Sequence, residues 1–142
     1  MVMTHLPSAV VIDASAWVSR VLPNDSNHAT AFTWINLHLA RSGALVSPVL
    51  LVTETASAVS RITGISARGH LAASQLLAMP EVSLVQIDQA LVEDATDLAA
   101  SLRLKGADAY YVALAMTLGL PLVTFDKEQL TRTTGVITTI RP

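Results

Sequence analysis

Four carboxylates sit where this sequence otherwise avoids charge. Asp13 is the only acid between Val2 and Arg20, Glu54 the only charged residue between Arg41 and Arg61, and Asp108 the only one between Lys105 and Asp126. An ionised carboxylate in an apolar element costs several kcal/mol to desolvate unless something compensates it. Two such charges ~4 Å apart repel by about 4 kcal/mol at an effective dielectric near 20. A cluster of Asp13, Glu54, Asp108 and Asp126 therefore needs protons or cations at neutral pH. The chain has no cysteine, and its histidines (His5, His28, His38, His70) lie outside these segments. Ligands that are all oxygen favour Mg²⁺ or Mn²⁺ over zinc. Each acid also has a plainer use. Asp13 and Asp126 suit helix capping, Asp108 suits the positive end of a helix dipole, and Glu54 could pair with Arg61 or Arg20.

The elements that would carry these acids alternate between strand and helix. Val10-Val11-Ile12 is an apolar β-branched run without polar alternation, which fits a strand covered on both faces. It ends at Asp13, and a helix over about Ser15–Leu22 stops at Pro23-Asn24-Asp25. A helix over Asn27–Ser42 is closed by Gly43, a short strand covers Ala44–Ser47, and Pro48 fits the first turn of a helix reaching Thr63. Further along come a helix over Ser66–Met79, a strand over Val82–Ile87 and a helix over Gln89–Leu104 broken by Gly106. A short apolar helix over Asp108–Leu118, a strand over Pro121–Phe125, a turn or helical turn over Asp126–Thr131 and a strand over Val136–Ile140 complete the chain.

This alternation implies a parallel sheet with helices on both faces. In such sheets the ligand crevice lies outside the carboxyl ends of the strands, where strand order reverses. Asp13 and Asp126 fall at that edge. Asp108 heads the helix leading into the fourth strand, and Glu54 lies in the helix leaving the second. If strands one and four are neighbours, the acids can converge. Ser15 and Thr124 lie close enough in sequence to orient a carboxylate, or simply to cap a helix or turn.

Composition sets limits. At 142 residues the chain suits one domain with a full core. Charged residues make up only 14%, against an average of about 25%, so part of the surface is expected to be covered, by a homodimer partner or a tightly held second protein. A net charge of −2 gives no basic field for nucleic acid; positive charge would have to come from a local patch, a partner or metal ions. The apolar start is too short for a membrane span and lacks a signal peptide's charged head. With no cysteine for disulfides, a soluble cytoplasmic protein is expected.

The combined pattern resembles the PIN-domain family, and within it the VapC-type ribonuclease toxins of toxin–antitoxin pairs. The matching pieces are Val-Val-Ile-Asp13-Ala-Ser15, Ser47-Pro48 leading to Glu54 with Arg61 beyond it, Gly106-Ala-Asp108-Ala-Tyr-Tyr-Val-Ala-Leu-Ala, and Gly119-Leu-Pro-Leu-Val-Thr124-Phe-Asp126. The resemblance implies a three-layer α/β/α fold with a parallel sheet of four to five strands in order 3-2-1-4-5. It gives Asp13, Glu54, Asp108 and Asp126 metal-binding roles, with Ser15 and Thr124 as supporting hydroxyls and Glu128 as a substitute or helper for Asp126. It implies one or two Mg²⁺ or Mn²⁺ ions, endonucleolytic cleavage of RNA leaving a 5′-phosphate, and an antitoxin partner. Arg20, Arg61 and Lys127 are candidate phosphate contacts. With six aromatic residues in the chain, extensive base stacking is not expected, and Trp17 and Trp34 are assigned to the core or an interface.

Two other readings compete. A receiver or haloacid-dehalogenase-like phosphotransfer domain would also use Asp13, with Thr124 and Lys127 as helpers. It would need a second acid near Asp13, where this chain has Ser15, and would leave Glu54 without work. A catalytically silent binding module of the same fold would use the acids only to receive a partner's arginine.

Overall fold

The computed structural model describes residues 9–142. The expectations for Met1–Ser8, His5 included, fall outside the described residues. Five strands among the described residues form one sheet: β1 (Val10–Ile12), β2 (Leu45–Pro48), β3 (Val82–Val85), β4 (Leu122–Val123) and β5 (Thr139–Ile140). Their order is β3-β2-β1-β4-β5 and every neighbouring pair is parallel. All of β1 is buried, as its unalternated apolar sequence requires at the centre of a sheet covered by helices. The chain first builds outward from β1 through β2 to β3, then returns to the other side of β1 with β4 and β5. That reversal sets the crevice between the carboxyl ends of β1 and β4.

The helices pack in two groups. α1 (Ala14–Val21) packs on α2 (His28–Ala40) and on α3 (Leu50–Thr63), which in turn packs on α4 (Ser66–Leu77). α5 (Gln89–Leu102) packs on α6 (Gly106–Leu118), and α6 lies against β1, β2 and β4. A short α7 (Lys127–Arg132) follows β4. Trp17, Ile35, Leu45, Leu51, Leu76, Val112 and Leu122 are fully buried, so both strands and helices feed one core. Burial of each such side chain contributes roughly 1.5–3 kcal/mol. Among the described residues no helix is long and apolar enough to cross a membrane.

Several local expectations change. Pro48 does not open α3; it is the last residue of β2, in register with Val85, and the next amide, Val49 N–H, bonds the Val85 carbonyl at 2.8 Å. A proline without an N–H costs nothing at a strand end where the following residue continues the ladder. Gly106 does not break α5. Arg103 does so, at φ 56°, and Gly106 begins α6. β4 and β5 are shorter than their apolar runs: the Phe125 and Asp126 amides turn to side-chain partners described below, and those of Val136 and Ile137 turn back to the Thr133 carbonyl. Trp17 is core, as assigned, and Trp34 packs against the core and stacks on His38 with ring centroids 5.3 Å apart.

Gly43 closes α2 through its N–H, which bonds the His38 carbonyl at 2.9 Å, but it is not the left-handed residue; Ser42 takes the positive φ, 61°. A Cβ on Gly43 would lie 2.4 Å from the His38 ring, which is held by Trp34 and by a 2.9 Å bond between Nε2 and the Ala44 carbonyl. Overpacking of this kind costs typically about 1–3 kcal/mol. Gly43→Ala is therefore expected to destabilise the chain by that amount in urea denaturation, with no change in the slope of the transition.

Candidate active site

The crevice at the β1/β4 reversal is organised by Asp13, which is 2% exposed. The plain expectation for it, helix capping, holds. Its Oδ1 caps α1 by accepting from Ala16 N–H at 3.0 Å, and also accepts from the Ser15 hydroxyl at 2.7 Å. Its Oδ2 accepts from the Thr124 hydroxyl at 2.5 Å and from Gln129 Nε2 at 3.0 Å. The two hydroxyls act twice. Ser15 Oγ accepts Phe125 N–H at 3.0 Å, and Thr124 Oγ1 accepts Asp126 N–H at 2.9 Å. The exit of β4 is thus held by side chains from its own end and from α1.

Burial pushes the Asp13 carboxyl up to about 6 despite the bonds from Thr124, Ala16 and Ser15, and the nearby charge of Asp126 adds to the rise. Asp108, in the first turn of α6, is likewise raised to about 6, first by burial and then by the charges of Asp126 and Asp13. Lys105 opposes that shift, and Glu128 adds slightly to it. Glu54, in mid-α3, is raised by burial and by Asp108, against a 2.9 Å bond donated by the Tyr111 hydroxyl. Burial and the same acids push the Tyr111 phenol far above its ordinary value, so its hydroxyl stays protonated and remains a donor. This bond joins α3 to α6 across the sheet edge.

Asp13, Glu54, Asp108 and Asp126 therefore share one electrostatic environment, and none of them is in an ion pair among the described residues. They do not form a ready-made cage: among the described residues no three such side chains are close enough together to constitute a metal-binding group. Mg²⁺ usually keeps several waters and takes only one or two protein carboxylates directly, so a set of hard oxygens with uncompensated negative charge suits it in donor chemistry. Asp126 also caps α7, accepting Gln129 N–H at 2.9 Å. Glu128 is paired with Arg132 at 3.4 Å, and of the two acids Asp126 acts on both Asp13 and Asp108.

The basic candidates separate. Arg61 is exposed and lines a groove of about 490 Å³ with Glu54, Ala14, Ser57 and Ala58. A second hollow of about 350 Å³ shares Ala14 and Ala58 and ends at Asp126. Lys127 is exposed at the start of α7. Arg20 instead braces α1 on α2: its guanidinium lies 4.8 Å from the Trp17 ring centre, and Nε donates to Asn36 Oδ1 at 3.2 Å. His28 bonds the Ser19 carbonyl, His38 bonds that of Ala44, and His70 is exposed, so none of these three joins the acids.

Two residues that matter here were not singled out from the sequence, Tyr111 and Gln129. Tyr111 follows Asp108 by three positions, which places both on one face of α6; that spacing was a usable signal. Gln129 carried none, because its reach to Asp13 depends on how α7 sits.

Comparison with known proteins agrees with this fold. The model of the PIN domain matches residues 10–135. The chain belongs to the PIN-domain family. Among solved structures it is similar to VapC20 of Mycobacterium tuberculosis, described as a toxin cleaving the sarcin–ricin loop, with 20% identity over 94% of this chain and 99% of that one and a TM-score of 0.75. It is similar to VapBC2 of Rickettsia felis bound to a promoter DNA fragment, with 11% identity, 93% and 97% coverage and a TM-score of 0.70. VapBC-5 of Mycobacterium tuberculosis, a toxin–antitoxin system, aligns at 16% identity with 93% and 95% coverage and a TM-score of 0.60. No curated protein matches the sequence.

The raised acids fix the sign of a pH effect. A carboxyl whose folded pKa lies above its unfolded value leaves the folded state holding more protons between the two, so stability falls as pH rises through that window. For Asp13 and Asp108 the window runs from about 3.8 to about 6. In chelator-treated protein, Asp108→Asn is expected to raise Tm at pH 7.5 relative to the parent, with the difference shrinking towards pH 4. Thermal melts across that range check it.

Proposed function

We propose that the chain is a Mg²⁺- or Mn²⁺-dependent endoribonuclease, the toxin of a VapBC-type pair, acting in the cytoplasm. The observation that carries this reading is the placement of buried Asp13 and half-buried Glu54 and Asp108, from three separate elements, around one crevice, each raised first by burial and then by the charge of another acid, with no cation ion-paired to any of them among the described residues. Acids perturbed by burial and by neighbouring charges in a cleft make a functional-site candidate. Asp13, Glu54, Asp108 and Asp126 would hold the cation. When bound, a divalent ion supplies charge neutralisation and Lewis acidity to a phosphodiester.

The chain's own residues do the rest. Ser15 and Thr124 fix the rotation of the Asp13 carboxylate, and Tyr111 fixes that of Glu54. The groove floored by Ala14 and Ala58 has the small side chains that let a nucleic-acid backbone come close, with Arg61 as a phosphate contact along it and Lys127 as another on α7. Arg20 is left to packing. Cleavage would leave a 5′-phosphate on the product.

Protein partners are supported by the exposed apolar residues Ile62, Leu71 and Leu77 on α3 and α4, in a chain with only 14% charged residues. Solved toxin–antitoxin complexes of similar fold include one from Klebsiella pneumoniae. We assign the chain an antitoxin partner and a homodimeric state. Sedimentation of the purified chain should give twice the monomer mass; a monomer at micromolar concentration would remove the homodimer.

The deciding experiment is cleavage of a mixed RNA pool with and without EDTA. Cleavage is expected with Mg²⁺ or Mn²⁺, to stop with EDTA, and to fall on the order of 10²–10³-fold in Asp108→Asn, the scale set by removing one electrostatic group from a catalytic centre. A parent chain that binds RNA but does not cut it would establish the silent binding module instead.

A further inference from the structure

Gln129 is 1% exposed, on the inner side of α7. Its backbone N–H bonds Asp126 Oδ1, its backbone carbonyl accepts from the Thr133 hydroxyl, and its side-chain Nε2 reaches Asp13 Oδ2 at 3.0 Å. The other half of the amide is idle. Gln129 Oε1 is buried without a hydrogen-bond partner among the described residues. A buried polar atom left unsatisfied is destabilising, and an apolar side chain would fill the same space without it. Packing therefore does not explain this residue. The one thing its head group gains is the contact with Asp13.

The chemistry of that contact is specific. An amide can only face a carboxylate with its NH₂ end, since the reverse sets oxygen against oxygen. The donor is also neutral. It holds an anion in one rotation without bringing positive charge, whereas a lysine or arginine there would compete with a cation for the same carboxylate. We propose that Gln129 is a positioning residue, which fixes Asp13 Oδ2 from α7 and thereby sets how tightly the acid cluster holds a divalent cation. This rests on the metal-dependent reading above. It adds α7 to the elements that govern the site, and it ties the two acids Asp13 and Asp126 through a single residue.

Calorimetric titration of Mn²⁺ into the parent chain, Gln129→Met and Asp108→Asn tests it, alongside far-UV melts to verify folding. Met has similar length and no donor. Outer partners of metal-binding side chains typically change affinity about 10–100-fold when removed, so Mn²⁺ binding is expected to weaken at least about tenfold in Gln129→Met. In the unmodified chain, the assigned Gln129 side-chain NH₂ signals should exchange slowly with solvent and shift on Mg²⁺ addition, a readout that requires no folded variant. Unchanged Mn²⁺ affinity in a folded Gln129→Met, or amide signals that ignore Mg²⁺, would overturn the proposal. A parent that binds Mn²⁺ and an Asp108→Asn that does not would then leave the metal site standing without Gln129. A parent that binds no Mn²⁺ would remove both.

Discussion

One buried anion holds the carboxyl edge of this sheet together. Asp13 starts α1 through Ala16, and Ser15 passes the connection to the backbone of Phe125. Thr124 bonds Asp13 and receives Asp126, Asp126 caps α7, and Gln129 of α7 returns to Asp13. The bonds close a ring that runs through α1, the end of β4 and α7. Hydrogen bonds in such a low-dielectric ring polarise one another. The short ladder between β1 and β4, two residue pairs long, does not have to position the crevice alone.

The same arrangement leaves the charge of the crevice uncompensated. Every donor to Asp13 is neutral, and so is the Tyr111 donor to Glu54. Arg20, the arginine nearest in sequence to Asp13, is committed to Trp17 and Asn36, and Arg132, the one nearest to Asp126, to Glu128 and the Arg103 carbonyl. A protein interior that orders its carboxylates yet leaves them unpaired conflicts with stability considered alone, and sites of this kind are where local rules give way to function. Neutral donors supply order, and the missing charge remains available to a ligand.

How much of this was legible depended on whether the signal was local or long-range. The unalternated run at Val10–Ile12 announced a central strand, and the charge-poor stretches around Glu54 and Asp108 singled out acids that the fold brings near each other. Strand order 3-2-1-4-5 came with the family resemblance. Pro48 and Gly106 misled because each was read by its usual place near a helix boundary, while pairing with β3 and the left-handed turn at Arg103 decided the boundaries. Arg20 looked like any other cation until its aromatic neighbours were in view. Tyr111 was within reach of helical spacing. Gln129, a polar residue in a polar hexapeptide, revealed nothing until the docking of α7 placed it beside a residue 116 positions away.

The crowding of donors around Asp13 has a consequence for isosteric mutagenesis. Asparagine at this position matches aspartate in shape but must turn an NH₂ towards one of two oxygen sites, and both already receive two donors. Donor would face donor unless the Ser15 or Thr124 hydroxyl, or the Gln129 amide, turned to present an acceptor, so the bonds that start α1 or hold β4 and α7 would have to rearrange. A silenced Asp13 amide variant therefore reports a rearranged bond network as well as a lost charge. Asp108, whose surroundings act on it through space, is where neutralising a single carboxylate isolates the electrostatics.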